Sequence, residues 1–310
     1  MKKIISIVLA AILMMFTVNS VAENEFLIVT PTGAPSIAIA GIYTEHPEVI
    51  RTIGADEIGH YFGNQEADMI IAPINAGAKL YKAGNSTYRL AAVITWGNLV
   101  FASRLENFTP DMINGRKLVL FGENTINSSI ALYLLEKKGI VPGEVDYKIG
   151  ASDTQALLMN EEESETIVMT AEPAITAAKM NAQKQDIDIS SIALNDLYKE
   201  LTGYDGFPQA GVFVKEKTAA ENPELISGWL EKIRAAAELC ENDPESVAKT
   251  VVAMEIVKAE PVVLKSLPGC SIHFLYASEA KEQIEFVAEI DLKQFGGEIP
   301  ADDFYYEAKQ

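Results

Sequence analysis

The sequence predicts an α/β protein built from two lobes that face each other across a cleft. Residues 68–80 begin as an apolar stretch typical of a buried strand, and Pro73 then suits the first turn of a helix that follows directly. Residues 165–178 repeat this plan about a hundred residues later, with Pro173 in the corresponding place. Strand–helix alternation along most of the chain indicates two such units.

The first unit alternates short strands with helices. Short apolar runs predict the strands, and Asp56 and Pro73 fit the starts of two helices. Strands are predicted over residues 26–30, 49–53, 68–72, 88–95 and 99–103, and helices over residues 35–43, 55–64 and 73–83. This alternation predicts a mostly parallel sheet covered on both faces.

The second unit restarts the cycle and leads into a helical tail. Its strands are predicted over residues 117–121, 145–149, 166–169 and 211–214, and its helices over residues 127–138, 153–160 and 172–180. Helices over residues 222–241, 244–254, 262–267 and 278–292 follow. We expect this tail to pack back on the first lobe. The chain would then cross between lobes near residues 103 and 208, which gives one lobe over 23–103 plus 209–310 and another over 104–208.

The first 22 residues have the features of a cleavable export signal. Lys2 and Lys3 precede an apolar run over residues 4–16, and Ser20-Val21-Ala22 fits a small-residue cleavage site. The run is shorter than the roughly 20 residues of a membrane span, although an uncleaved anchor is the alternative. No cysteine lies near the site for lipid attachment. We therefore expect a soluble exported protein, periplasmic where the cell has two membranes.

Charge and cysteine content limit the partners. Removing residues 1–22 removes two lysines and no acid, so the net charge falls from −19 to −21. Such a charge argues against nucleic acid or an anionic membrane as partner.

Cys240 and Cys270 are equally consistent with a disulfide and with two separate thiols. They and the three histidines show no metal-ligand spacing, so we expect neither a metal nor another cofactor.

Four loops connect a predicted strand to the helix that follows it: residues 31–36, 73–77, 122–128 and 170–173. Ligands of open α/β sheets bind where such loops meet, because helix starts offer free backbone N–H groups. The polar side chains of these loops could instead only cap their helices. Four loops expected at one cleft favour a ligand site. The candidates in them are Thr32, Gly33, Ala34, Ser36, Asn75, Ala76, Asn124, Thr125 and Glu172.

Glu172 is the most specific of these candidates. An acid that follows a strand among small apolar residues is costly to desolvate without a partner, so it would accept N–H groups or a positive charge from a ligand. The alternative is that it only stabilises the dipole of the next helix. Near the expected crossings, Trp96, Asn98 and Phe207 are further candidates, since an aromatic ring could stack on a flat ligand. Taken alone, each aromatic is more commonly a core residue.

The order and spacing of several motifs resemble a known family. They are Pro31-Thr-Gly-Ala-Pro35, residues 67–72, Asn114-Gly-Arg-Lys-Leu-Val119, Leu134-Leu-Glu-Lys-Lys-Gly139, Glu172-Pro173, Phe207-Pro-Gln-Ala-Gly-Val-Phe-Val214 and Glu221-Asn-Pro-Glu-Leu225. Over nearly all of residues 23–310 the chain resembles the substrate-binding proteins of ABC importers for nitrate, sulfonate, taurine and thiamine-pyrimidine precursors. One departure is Ala171, where family members often carry a bulky aromatic residue.

The resemblance implies a type II periplasmic-binding-protein fold with two crossovers, a ligand cleft at the hinge and hinge closure. It also implies a small-molecule solute, docking on an ABC permease in the membrane, and ligand contacts in the four loops and at Glu172. We expect a monomer that is not an enzyme. A ligand-sensing receptor of the same fold is one alternative. A pyrimidine-precursor synthase-like enzyme is another, although no histidine lies in the four loops and the cysteines are far apart in the chain.

Overall fold

The computed structural model describes residues 26–148 and 150–307. The predicted export signal, residues 1–22, lies outside the described residues. No helix within the described ranges has the length and apolarity needed to cross a membrane.

The first sheet has six strands in the order β11-β4-β10-β3-β1-β2. Its strands are β1 (Ile28–Pro31), β2 (Ile50–Ile53), β3 (Met69–Pro73), β4 (Tyr88–Thr95), β10 (Ala210–Lys215) and β11 (Ile272–Tyr276). β1 pairs in parallel with β2 and β3, whereas β10 pairs antiparallel with β3 and β4. β11 also pairs antiparallel with β4.

The second sheet has five strands in the order β7-β6-β8-β5-β9. Its strands are β5 (Leu99–Ser103), β6 (Lys117–Phe121), β7 (Glu144–Lys148), β8 (Ile167–Ala171) and β9 (Ser190–Ala193). β6 pairs in parallel with β7 and β8, and β5 pairs antiparallel with β8 and β9.

Thirteen α-helices surround the sheets in the described part of the chain. They are α1 (Ala34–Ala38), α2 (Ala40–Glu45), α3 (Ile58–Asn64), α4 (Ile74–Lys82), α5 (Ile126–Lys137), α6 (Ala151–Leu157), α7 (Ala174–Ala182), α8 (Leu194–Thr202), α9 (Glu216–Glu221), α10 (Pro223–Asn242), α11 (Pro244–Ala253), α12 (Glu260–Ser266) and α13 (Ala277–Ile290). The sequence patterns missed β9, α8, α9 and β11, which are all short and, except for parts of α8 and α9, at most half-buried.

The expectation of mostly parallel sheets is wrong, because both sheets are mixed. In the interior of each sheet one strand, β10 or β5, runs antiparallel to both of its neighbours. Both strands directly follow a crossing between the sheets, so they start at the cleft edge and run away from it. β1, β3, β6, β7 and β8, which lead into α1, α4, α5, α6 and α7, end at that edge. A strand that begins at the cleft must therefore be antiparallel to its neighbours.

The first crossing falls at residues 96–98, earlier than residue 103, because the strand at residues 99–103 pairs within the second sheet. Gly97 adopts φ +82°, a left-handed conformation that turns the chain out of β4. The return crossing runs over residues 203–209 and delivers the chain into β10.

The helical tail packs mainly on the first sheet and its helices. Ile226, Trp229, Leu230 and Ile233 of α10 are buried in a core shared with β1, β3 and β10. The apolar positions of α10 recur at helical spacing, which is why the sequence located this helix to within one residue at each end. Packing of the tail here places α12 and α13 beside the cleft.

Candidate functional site

A cavity of about 630 Å³ lies between the two sheets, at the edge where the crossings occur. Five helices begin there, two from the first sheet and three from the second. Their first-turn residues that line the cavity include Ala34, Asn75, Asn127, Ser152 and Ala174. Because the first N–H groups of a helix have no partner within the helix and carry its positive dipole end, this edge attracts hydrogen-bond acceptors.

The structure brings eight of the twelve predicted site residues to the cavity wall. They are Thr32, Gly33, Ala34, Asn75, Ala76, Asn98, Thr125 and Glu172. Their convergence follows from the sheet topology, since each lies at a strand end or helix start on the cleft edge. The other four, Ser36, Trp96, Asn124 and Phe207, do not line this cavity.

Glu172 connects the cavity to the start of α7. Its carboxylate accepts a hydrogen bond from the Thr176 hydroxyl at 3.0 Å and one from the Thr176 backbone N–H at 3.3 Å. Burial raises the pKa of the Glu172 carboxyl, whereas the two Thr176 hydrogen bonds and the nearby Lys179 oppose that rise. Glu172 therefore stabilises the start of α7, as one of the two interpretations expected, and it is also a residue of the cavity wall.

Two neighbours hold Glu172 in place. The Asn98 side-chain amide donates to the Glu172 carbonyl at 2.7 Å, and the Glu172 N–H donates to the Asn98 carbonyl at 2.9 Å. Gly269, in the 3-10 turn Leu267–Cys270 of the helical tail, packs against the side chain so closely that a Cβ would lie 2.9 Å from Glu172 Cγ. A residue with a side chain at position 269 would push Glu172 aside.

Ser36 and Asn124 serve the loops and not the cavity. The buried Ser36 hydroxyl donates to the Gly33 carbonyl at 2.9 Å, within the turn that opens α1. Asn124 is exposed with φ +57°, and its carbonyl accepts a hydrogen bond from Gln294. Thr125 lines the cavity and also caps α5, because its Oγ1 accepts from the Ser128 N–H at 3.5 Å.

Trp96 and Phe207 fill the core of the crossings. Trp96 is 2% exposed, stacks on the His273 ring at a centroid distance of 4.5 Å, and donates from Nε1 to the His273 carbonyl at 3.0 Å. Phe207 is fully buried and packs edge-on against Tyr198. Trp96 and Phe207 lie in the buried parts of the two crossings, so neither ring is available for stacking on a ligand in the cavity.

The cavity also contains residues that were not predicted. Gln209 Nε2 and Asn127 Oδ1 approach to 3.5 Å across the cleft, one from the return crossing and one from the first turn of α5. Both lie in segments that the sequence had singled out, the motif at residues 207–214 and the loop at residues 122–128. Ser152 and Phe121 lie next to predicted element ends. These four residues could have been found from their positions at a strand end or helix start, and not from their residue types.

The wall of the cavity is nearly uncharged. Among the described lining residues, Glu172 is the only ionisable side chain; the others are neutral polar or small apolar groups, with Phe121 the one aromatic ring. Within residues 26–148 and 150–307, no group of three or more His, Cys, Asp or Glu side chains is placed to hold a metal ion. Recognition at this wall would rest on hydrogen bonds, one carboxylate and apolar contact.

A second cavity of about 480 Å³ lies at the opposite end of α4. Lys82 pairs with Glu298 and the Glu216 carboxylate with Arg89, each at 2.5 Å, and Asp303 accepts a hydrogen bond from the Tyr81 hydroxyl at 3.3 Å. The cavity at the cleft is therefore the stronger candidate, since its helix starts and Glu172 retain capacity for a ligand.

Known proteins resemble this chain in structure and not in sequence. No family model matches the chain. No curated protein matches it either. Among solved structures, an ABC transporter protein from Parabacteroides distasonis matches with a TM-score of 0.77 and 20% identity, over 92% of this chain and all of that one.

Two further structures are sulfonate-binding proteins. The periplasmic aliphatic sulphonate binding protein SsuA of Escherichia coli gives a TM-score of 0.68 at 13% identity, over 92% of this chain and 93% of that one. The alkanesulfonate-binding protein SsuA of Xanthomonas axonopodis pv. citri, bound to MOPS, gives 0.64 at 13% identity, over 90% and 97%.

Fold and cavity together define a class, the two-lobed α/β proteins of the periplasmic-binding-protein fold. The structural neighbours of this chain include substrate-binding proteins of ABC transporters, among them proteins of the sulfonate group. At these identities the likeness establishes the fold. It confirms the fold predicted from the motifs, with two crossovers between the sheets and a cavity at their junction.

Proposed function

We propose that this chain is an extracytoplasmic solute-binding protein that captures a small organic molecule and delivers it to an ABC importer. The observation that carries the proposal is the convergence of five helix starts, drawn from both sheets, on one cavity of about 630 Å³. Contacts from both lobes allow a bound solute to stabilise the closed arrangement. The export features of residues 1–22 and the structural neighbours support the location and the partner.

The wall favours a ligand with two kinds of polar group. Backbone N–H groups at the helix starts suit a carbonyl or oxyanion end. Glu172 suits an N–H donor or a positive charge, because a half-buried carboxylate binds such a group through a charge-assisted hydrogen bond. We therefore propose a small molecule that is neutral overall or singly cationic. Micromolar affinity, about −8 kcal/mol, would suffice for uptake.

Residues on both sides of the cleft would make these contacts. Thr32, Asn75 and Gln209 offer polar groups from the side of the first sheet, and Asn98, Asn127 and Glu172 from the side of the second. We propose binding without chemical turnover, because the only ionisable group of the described wall also serves as a cap for α7.

Native mass spectrometry of the purified protein tests the proposal, followed by calorimetry with the solute that is released. We expect one small molecule per chain, recovered chemically unchanged. Glu172→Gln should weaken binding about tenfold or more, since it removes the charge from the hydrogen bond. Glu162→Gln, at an exposed acid of the second lobe, is the matched control and should bind as the native protein does.

Three results would contradict parts of the proposal. Failure of every nutrient tested to bind, with an unchanged scattering envelope, would reject solute capture. Native affinity in Glu172→Gln would reject the assigned role of that residue. Delivery is tested in vesicles, where the loaded protein should stimulate ATP hydrolysis by its ABC importer. Absence of this stimulation would reject delivery and would favour a signalling receptor.

A further inference from the structure

The two backbone crossings are not the only links between the lobes. The end of α13 and the residues after it pack on the first lobe, where Gly296 approaches α4 so closely that a Cβ would lie 3.2 Å from Lys82 Cβ. The same segment also reaches α5 of the second lobe. Ser129 Oγ donates to Asp291 Oδ2 at 2.6 Å, and Gln294 Nε2 donates to the Asn124 carbonyl at 2.7 Å.

Apolar packing accompanies these hydrogen bonds. Phe286 of α13 makes edge-to-face contacts with Tyr133 of α5 and Tyr198 of α8, at centroid distances of 6.4 and 6.1 Å. Val287 and Phe295 pack between the start of α4 and α5, where the residual cavity measures only about 10 Å³. A gap of that size does not exceed one water molecule, so the contact is close-packed.

The contact with α5 places the Asp291 carboxylate near a helix start. Asp291 directly follows the last residue of α13, where the helix dipole is unfavourable for a negative charge. Ser129 lies in the first turn of α5, where the dipole favours one. The contact with α5 therefore compensates a charge that its own helix disfavours.

The start of α5, together with the two residues before it, makes two kinds of contact on two faces. Its inner face, Thr125, Ile126 and Asn127, lines the cleft cavity. Its outer face, Asn124 and Ser129, is held by Gln294 and Asp291. A shift of this turn outward would withdraw Asn127 from Gln209, with which it makes the 3.5 Å contact across the cleft.

We infer that Asp291 and Gln294 form a clasp that positions the first turn of α5 for ligand and holds the lobes together. Asp291 is thus a positioning residue for binding, an inference that rests on the proposed function. Loss of the clasp favours arrangements in which the lobes are further apart. The apparent affinity for solute then falls in proportion to the fraction of molecules whose lobes are placed to bind it.

Hydrogen exchange of the full-length protein without solute tests the clasp. Asp291→Ala and Ser129→Ala should each accelerate amide exchange at residues 126–130 about tenfold, the effect of losing one hydrogen bond to a charged group. The double variant should add little, because both changes remove the same contact. Scattering should show a larger radius of gyration. Glu289→Ala, at an exposed acid of α13, is the control and should leave both quantities unchanged.

Several outcomes decide against the clasp. Native exchange at residues 126–130 in Asp291→Ala, with a native envelope, overturns it. Acceleration spread equally over residues 223–242 would indicate general destabilisation and also overturns it. If Asp291→Ala does not fold, Gln294→Ala and Asp291→Asn are used in its place. Each should accelerate amide exchange at residues 126–130, but by less than tenfold. Failure to bind any solute would reject the proposed function and leave this exchange result standing.

Discussion

Asn195 of α8 donates a hydrogen bond from its side-chain amide to the carbonyl oxygen of Trp96 at 2.9 Å. The same Nδ2 atom lies 2.9 Å from the Gly97 carbonyl and 3.0 Å from Ser271 Oγ. One side chain of the second lobe thereby holds the first crossing and the residue that precedes β11. The return crossing packs on the same point, since a Cβ at Gly206 would lie 2.2 Å from the Trp96 carbonyl oxygen.

Replacing Asn195 should weaken this junction. Asn195→Ala removes the N–H donors of the Trp96 and Gly97 carbonyls, so we expect the free energy of unfolding to fall by about 2 kcal/mol. Urea denaturation followed by circular dichroism measures it. Asn181→Ala removes the side chain of an exposed asparagine and should change stability by less than about 0.5 kcal/mol. Equal stability of both variants would mean that water replaces the amide.

Gly97 and Gly203 form a matched pair for the first crossing. Both have φ +82°, but a Cβ at Gly97 would lie 2.4 Å from Asn195 Oδ1, whereas one at Gly203 meets no atom within 4 Å. We expect Gly203→Ala to cost about 1 kcal/mol for backbone strain alone. Gly97→Ala should cost about 2 kcal/mol more because it also overpacks the crossing. Thermal unfolding of the two variants measures the difference, and similar costs would contradict the packing argument.

The raised pKa of Glu172 predicts a pH dependence of stability. A carboxyl whose pKa is higher in the folded state binds protons more readily there, so its contribution is full below the unfolded value of about 4.5 and is lost as the pH rises through the folded pKa. Glu172→Gln removes this term. The variant should therefore gain stability relative to the native protein as the pH increases above about 4.5. A constant difference across a denaturation series in pH would reject burial as the dominant cause.

Thr176 stabilises the charged form of Glu172. Thr176→Val keeps the shape of the buried side chain and removes the hydroxyl donor at 3.0 Å from Oε1. We expect a loss of about 2 kcal/mol at neutral pH, within the range for a hydrogen bond to a charged group. Thr176→Ser retains the hydroxyl and should lose less. If the two variants unfold at the same denaturant concentration, the hydroxyl does not support the carboxylate.

The structure has Cys240 and Cys270 as free, buried thiols. Burial raises the pKa of Cys240 to about 12, and it raises the pKa of Cys270 as well. Since the thiolate is the reactive form, a thiol reagent should leave the native protein unmodified and should titrate two groups after denaturation. Cys240→Ser should titrate one. Absence of thiols in the denatured, unreduced protein would show that the pair is oxidised.

Local patterns were sufficient for most of the elements. Residues 88–95 and 117–121 are apolar runs bounded by turns, and the structure has strands with those bounds. The helical spacing of Ile226, Trp229 and Ile233 located α10. Strand-end loops likewise predicted Thr32, Asn75 and Glu172 at the cavity wall, because parallel strands deliver the loops that follow them to one edge.

By itself, the sequence determined where most of the strands and helices lie and which loops meet at the cleft, since hydrophobic period and helix starts are local properties. Only the tertiary structure decided which sheet receives the strand at residues 99–103 and which way Trp96 and Phe207 face. An aromatic residue beside glycine and asparagine has the same local pattern whether it meets a ligand or core. Trp96 is turned inward by His273, 177 residues further along the chain, and a contact at that separation leaves no trace in the residues around it.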